Sequence, residues 1–472
     1  MGPFGNFALS FSIISVLSGC MTLFGFGLIT GGPAVMLWGW AAVGLTVLCL
    51  GAALAEVTSA YPVAGGLFFM ADKLGGPKAG YITGWLNLLG LLGGMAGGSY
   101  GMSLFVGAWL NLQWGFTPTP GKTMAICGVI LLLLAVLNLF GVRLVSVLNS
   151  VSVWWHVGGV AAIVGALALV PAHHQSASFV FTYFANTTGW GNPLYVIALG
   201  LLLAQYTFCG YDASAHLSEE TTKAQISAPQ GIVKSIFWSW IVGFVLLAGM
   251  LFAIQDYAGT VGSAVPPAQI FLDALGLTGA KVLLLVVIVA QLFCANAGLA
   301  SASRMVFAFS RDGALPFSST WRRLSPRTKT PVPAVWLSVV VPFCLALPSL
   351  YSLTAYYAVT AINVIGITPA YAIPVYLRLR KGDDFEPGPW SLGRWSKPIG
   401  WTAVIWVAFI TVMFCLPQVS PVTQDSFNYA PVALAAVLVL ASIGWLTWGR
   451  RSYGIPEYGT EGERDQMGRD LV

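Results

Sequence analysis

Twelve apolar runs, each at or near the length of a membrane crossing, constrain this chain more than any other feature. They fall at roughly 7–29, 34–58, 79–110, 122–141, 147–170, 193–217, 232–255, 280–309, 332–349, 353–377, 400–417 and 429–448. A helix crosses the hydrocarbon core with about 20 residues. In lipid only helices and closed barrels satisfy their own backbone, and these runs have helical length. The expected fold is therefore all-α and integral to the membrane, with twelve transmembrane helices. Charged residues make up 8% of the chain, against about 25% in soluble domains. One polytopic domain is expected over 1–450. Residues 451–472 are polar and mixed in charge and read as a cytoplasmic tail.

The basic residues orient these spans. With the first residues in the cytoplasm and alternating loops, only Lys122 and Lys281 of the 22 Lys and Arg residues fall outside. Arg311, Arg322, Arg323, Arg327 and Lys329 crowd one inner loop; Arg378, Arg380, Lys381, Arg394 and Lys397 crowd another. The positive-inside rule then predicts a multi-pass protein with both termini cytoplasmic; the plasma (cell inner) membrane is the expected location. Lys73 is the first positive charge, so no secretory signal is read. None of the seven cysteines forms a CxxC pair, which argues against a zinc site or disulfide framework. His173 and His174 are adjacent, but in a polar loop without nearby carboxylates or cysteines. Gly121-Lys122-Thr123 resembles the end of a phosphate loop, yet Phe116 stands where its first glycine belongs. No metal, cofactor or nucleic-acid partner is expected.

Chemistry concentrates between Gln205 and Glu220, read Q-Y-T-F-C-G-Y-D-A-S-A-H-L-S-E-E. Gly210 weakens a helix by about 1 kcal/mol relative to Ala. A carboxylate at the depth of Asp212 costs roughly 2.5–3.5 kcal/mol on insertion scales. A segment carrying both reads as a broken helix lining a solute site. The first span has its own interruption, with Ser15, Ser18 and Gly19 near its middle. Two interrupted helices in corresponding positions point to a midplane site, where freed amides bind a carboxylate and freed carbonyls an ammonium group. The third span carries Gly90, Gly93, Gly94, Gly97, Gly98 and Gly101 at small-xxx-small spacing, which reads as close helix packing or a smooth sliding surface.

Five segments carry a resemblance: Ser10–Gly19 (SFSIISVLSG), Leu54–Gly66 (LAEVTSAYPVAGG), Trp154–Gly159 (WWHVGG), Cys209–Thr221 (CGYDASAHLSEET) and Ser303–Pro316 (SRMVFAFSRDGALP). With these, the chain resembles the amino acid–polyamine–organocation superfamily and, within it, the amino acid/choline transporter branch of amino acid and GABA permeases. The resemblance implies a leucine-transporter-type fold with broken helices 1 and 6. Two inverted five-span repeats would cover about 7–170 and 193–377, with extra helices at about 400–448. It implies a secondary transporter of an amino acid or amino-acid-like amine, not an enzyme.

The same resemblance assigns roles. Ser18-Gly19 matches the break where relatives hold the substrate carboxylate. Tyr206 matches an aromatic that covers the substrate, and Asp212 an acidic position on span six. Ser15, Gln205, Phe208, Gly210 and Asn296 complete the expected substrate site. His156 falls where proton-coupled relatives place a lysine, and imidazole titrates near neutral pH; it and Ser301 are the expected coupling residues. Glu56 reads first as a structural tie between span two and an inner loop, with a gate residue as its other reading; Glu219 and Glu220 read equally as gate residues and as solvated side chains. Coupling to protons is expected. Sodium coupling, or exchange of amines or polyamines, are alternatives. An intramembrane enzyme using Asp212 and His156 is a further one, without a nucleotide motif, metal cluster or Ser-His-Asp set to favour it.

Overall fold

The computed structural model describes residues 2–454 except Ala64, Gly141, Glu219 and Glu220. The expected gate residues Glu219 and Glu220, and residues 455–472 of the tail, thus lie outside the described residues.

The described residues are predominantly helical. In order, the helices are α1 (Pro3–Ile14), α2 (Val16–Thr22), α3 (Phe24–Ile29), α4 (Gly32–Ala60), α5 (Gly66–Gly75), α6 (Pro77–Trp114), α7 (Pro120–Leu139), α8 (Val142–Leu169), α9 (Ala177–Thr182) and α10 (Pro193–Gly200). There follow α11 (Leu202–Thr207), α12 (Ala213–His216), α13 (Ala224–Phe252), α14 (Tyr257–Gly262), α15 (Pro266–Arg311), α16 (Ser318–Trp321), α17 (Val332–Ala346), α18 (Leu353–Lys381), α19 (Ser396–Cys415) and α20 (Ala430–Gly444). Their ends follow local chemistry. Pro3, Pro77, Pro120, Pro193 and Pro266 open helices, where a missing N–H costs nothing. Thr119, Ser176, Asn192, Asp256 and Ser352 cap first-turn amides with their side-chain oxygens.

Among the described residues, eleven helical segments are long and apolar enough to cross a membrane. The expected sixth span is not one helix. Pro193–Thr207 is a shorter apolar piece, and the chain unwinds beyond it before α12. The 280–309 run is the inner part of α15, which kinks at Gly276 (φ 69°).

Burial separates an interior from a lipid-facing rim. In the most apolar windows, 89% of Leu353–Asp384 and 78% of both Pro3–Thr22 and Pro77–Trp114 are buried. For Gly393–Cys415 and Ala430–Ser452 the shares are 28% and 17%. The broken first helix, α6 and α18 are therefore core, while α19 and α20 lie at the periphery. Large apolar side chains are exposed on α7, α8, α13, α19 and α20, among them Val129, Trp154, Trp238, Ile405 and Val439, a surface suited to lipid.

The most extensive helix contact is between α6 and α18, and the glycines of span three make it possible. A Cβ on Gly90 would lie 2.4 Å from the Ile367 amide nitrogen, and one on Gly366 would lie 2.6 Å from that of Gly90. Asn363 Nδ2 donates to the Gly90 carbonyl at 2.7 Å across this seam. Backbone cannot yield as a side chain tip can, so Gly90→Val is expected to lose about 3 kcal/mol of stability. A thermal unfolding midpoint in detergent within error of the parent protein would count against this seam.

Candidate functional site

Two breaks in the backbone face each other near the centre of the molecule. The first is at Ser15, which adopts the left-handed region (φ 30°, ψ 84°) between α1 and α2. That conformation is strained for a residue with a Cβ. Ser15 offsets some of the strain by capping α2: its Oγ accepts from Ser18 N at 3.2 Å, and its carbonyl accepts from Ser18 N and Gly19 N. The amides expected to be free at Ser18 and Gly19 are thus engaged. Val16 and Leu17, at the start of α2, are the ones left without a helical carbonyl to reach.

The second break runs from Phe208 to Asp212, between α11 and α12. Gly210 carries φ 95°, and a Cβ there would meet Ile13 of α1 at 2.1 Å. Glycine is required both for the turn and for the approach of α1. The Gly210 N–H donates to Tyr371 Oη at 2.9 Å, and that hydroxyl donates to Asp212 Oδ1 at 2.7 Å. Asp212 Oδ2 lies 3.0 Å from His216 Nε2 and accepts from Asn87 Nδ2 at 3.2 Å. Asp212 is thereby tied to α18, α6 and the next turn of its own segment, and only 1% of it is exposed.

Between the breaks lies a cavity of about 70 Å³, room for about two waters in this conformation. Ser18, Gly19, Tyr206 and Gly210 line it, together with Thr207, Cys209, Gln291, Cys294, Asn363 and the glycines Gly94 and Gly98. No charged side chain is in that wall.

Other residues read as candidates are placed elsewhere. Gln205 Oε1 accepts from Trp406 Nε1 at 3.0 Å. The Phe208 ring packs on Trp40, 4.5 Å between centroids. Asn296 Oδ1 accepts from Asn138 Nδ2 at 3.0 Å. None of these three lines the cavity, and neither does Asp212. Ser301 is buried on α15 and shares no hydrogen bond with His156 or the cavity wall among the described residues.

His156, fully buried on α8, reaches the first break directly. Its Nε2 lies 2.5 Å from Ser15 Oγ, and its Nδ1 is 2.7 Å from the Ser152 carbonyl. The carbonyl can only accept, so Nδ1 carries a proton. In the neutral ring, Nε2 then accepts from the Ser15 hydroxyl. Protonating Nε2 would reverse that bond and release the Ser15 hydroxyl hydrogen to another acceptor.

Glu56 is placed at the end of α4, away from the cavity. Its carboxylate accepts from Ser391 Oγ at 2.9 Å, Leu392 N at 3.2 Å and Ser396 Oγ, and lies 3.0 Å from Arg378 Nε. It clamps α4 to the end of α18 and to the segment leading into α19.

A polar seam escaped the sequence reading. Ser10 Oγ donates to the Tyr211 carbonyl at 2.8 Å and meets Ser214 Oγ at 2.6 Å. Asn6 Nδ2 donates to the Ser214 carbonyl and to Thr221 Oγ1, both at 3.0 Å. The half of span one before its break is thereby bonded to the half of span six after its own.

Compared with known proteins, the chain matches the family described as amino acid permease over residues 2–439. It is 37% identical to the amino-acid permease BAT1 of Arabidopsis thaliana, covering 97% of this chain and 93% of that protein. Identity to the BAT1 homolog of Oryza sativa is 38%, over 96% and 91%. The GABA-specific permease of Saccharomyces cerevisiae is 29% identical, over 95% and 81%.

Proposed function

We propose that this chain, which belongs to the amino acid permease family, carries an amino acid or amino-acid-like amine across the plasma membrane by alternating access driven by protons. Members of that family are multi-pass transporters rather than enzymes. The observation that carries the reading is the cavity between the two breaks, walled by Ser18, Gly19, Tyr206 and Gly210. The polar ends of an unwound helix pair suit a zwitterion: the carboxylate goes to the start of α2 beside Ser18, and the ammonium to the carbonyls of Phe208–Gly210. Tyr206 covers the solute. Asp212 acts from outside the cavity, by holding the second break through Tyr371. The GABA specificity named for the yeast relative puts that amine within the substrate range.

The fold we assign to this activity is the leucine-transporter type with twelve crossings, the sixth made by Pro193–Thr207 and α12 together. Its inverted repeats span about 7–170 and 193–377, with added helices at 400–448 and both termini cytoplasmic. The polar seam between α1 and α12 supports the view that spans one and six move as a unit against α6, α18 and their neighbours. His156 is the coupling residue in this scheme, because its proton sets the direction of the bond to Ser15.

Uptake of a labelled amino acid mixture into proteoliposomes tests it. With an inward proton gradient the parent protein is expected to concentrate label, and His156→Ala to bring it only to the external level. Accumulation that follows a sodium gradient instead, or uptake that needs internal amino acid and ignores both gradients, would replace proton coupling by symport with sodium or by exchange.

A further inference from the structure

Gln291 is a buried amide with nothing to bind. It lies on α15, where residues 291, 294, 295 and 298 form one helical stripe along the cavity. Only 1% of it is exposed, and neither Oε1 nor Nε2 has a hydrogen-bond partner among the described residues. Buried amides are nearly always paired, and an unpaired one signals a missing partner. Three of the neighbouring polar side chains donate elsewhere. Asn363 donates to the Gly90 carbonyl, Thr207 to that of Leu203 and Cys294 to that of Ile13. The rest of the stripe is Cys294, Ala295 and Gly298, and Leu91 and Met95 of α6 also line the space.

We propose that Gln291 is the side-chain selector of the transport site and that it favours small neutral substrates bearing a hydroxyl or carboxamide. This rests on the amino acid permease reading above. The breaks supply polar backbone for the α-carboxylate and α-amine, so the substrate's side chain is what meets Gln291. Its carbonyl accepts from a hydroxyl or amide, and its NH₂ donates back. A charged side chain would enter a wall that holds no countercharge. An aliphatic one fits but leaves the amide unpaired, the situation in which polar sites discriminate most strongly. Ile13, Leu91, Met95 and Ile367 crowd the same wall, which favours the smaller members of this class.

The test is uptake of labelled serine, glutamine, alanine, leucine and lysine by proteoliposomes of the parent protein, Gln291→Met and Gln291→Leu. Methionine keeps the volume of glutamine, so it preserves packing should leucine disturb it; size-exclusion profiles identify the folded variants. The parent protein is expected to prefer serine to leucine and lysine by at least about tenfold. In the variants the serine-to-alanine ratio is expected to fall by about the same factor. An unchanged ratio in a folded variant, or a parent protein that prefers leucine or lysine, overturns the proposal. A parent protein that takes up none of the five but accumulates labelled GABA overturns the selector and leaves the transport reading standing; one that takes up neither overturns the transport reading as well.

Discussion

Replacing Glu56 by alanine is expected to destabilise the protein by about 3–5 kcal/mol, the cost of stranding a buried charge. The stranded group is Arg378, whose side chain is 12% exposed. Its Nε lies 3.0 Å from Glu56 Oε2 but off the hydrogen-bonding angle, and Nη1 has no hydrogen-bond partner among the described residues. Charge neutralisation therefore matters more here than hydrogen bonding to Arg378. The Phe385 ring, 4.9 Å from the guanidinium, would be the main favourable contact left. The alanine also frees the hydroxyls of Ser391 and Ser396 and the Leu392 amide, loosening the link into α19. Glu56→Gln is expected to cost less, since its amide oxygen still accepts from that segment. Thermal unfolding in detergent measures both. Adding Arg378→Met to Glu56→Ala should restore part of the loss, because the double variant buries no unpaired charge. A Glu56→Ala protein within about 1 kcal/mol of its parent would show that Arg378 is not held by this carboxylate.

Asp212→Ala is expected to abolish transport while the protein stays in the membrane. The carboxylate joins Tyr371, Asn87 and His216, and Tyr371 in turn holds the Gly210 amide. Each charge-assisted bond is worth about 1.5–3 kcal/mol. Losing a net 3 kcal/mol from one conformation of the second break shifts its balance roughly a hundredfold, enough to trap the cycle. Asp212→Asn keeps the size and one acceptor for Tyr371, so it separates charge from packing. Uptake by reconstituted protein, with membrane content measured in parallel, gives the answer. Asp212→Ala protein that transports at the parental rate would remove the carboxylate from the mechanism.

The spans were legible because length and apolarity alone define a helix in lipid. The breaks were legible too, because Gly210 with Asp212, and Ser15 with Ser18 and Gly19, are out of place in apolar runs. What lines the cavity was less so, and the break itself is the reason. Helical spacing assigns faces only while the 3.6-residue register holds. Between α10 and α12 the register is interrupted, so Gln205 turns to Trp406 and Phe208 to Trp40, while Tyr206 alone of these three reaches the cavity. Gln291 carried no signal of its own, being one polar residue in a long apolar helix; only its orphaned amide marks it. His216 was given no role from the sequence, and the fold of α12 sets it one turn from Asp212. Glu56 read as a tie to an inner loop, but which loop was not legible, since its partners Arg378 and Ser391–Ser396 are more than 300 residues away in sequence.

The polar seam between α1 and α12 has a consequence for how the molecule is made. Asn6 and Ser10 meet partners 201 to 215 residues further along the chain. At ribosomal speeds of 5–20 residues per second, that separation is about 10–40 s of synthesis. Throughout it, α1 is already in or near the bilayer with hydrogen-bonding groups that lipid cannot satisfy. It has to be sheltered by the insertion machinery, or wait at the interface, until residues 211–221 emerge. Only then do Asn6 and Ser10 acquire their permanent partners, so the order of translation places a late checkpoint on the assembly of the centre of the protein.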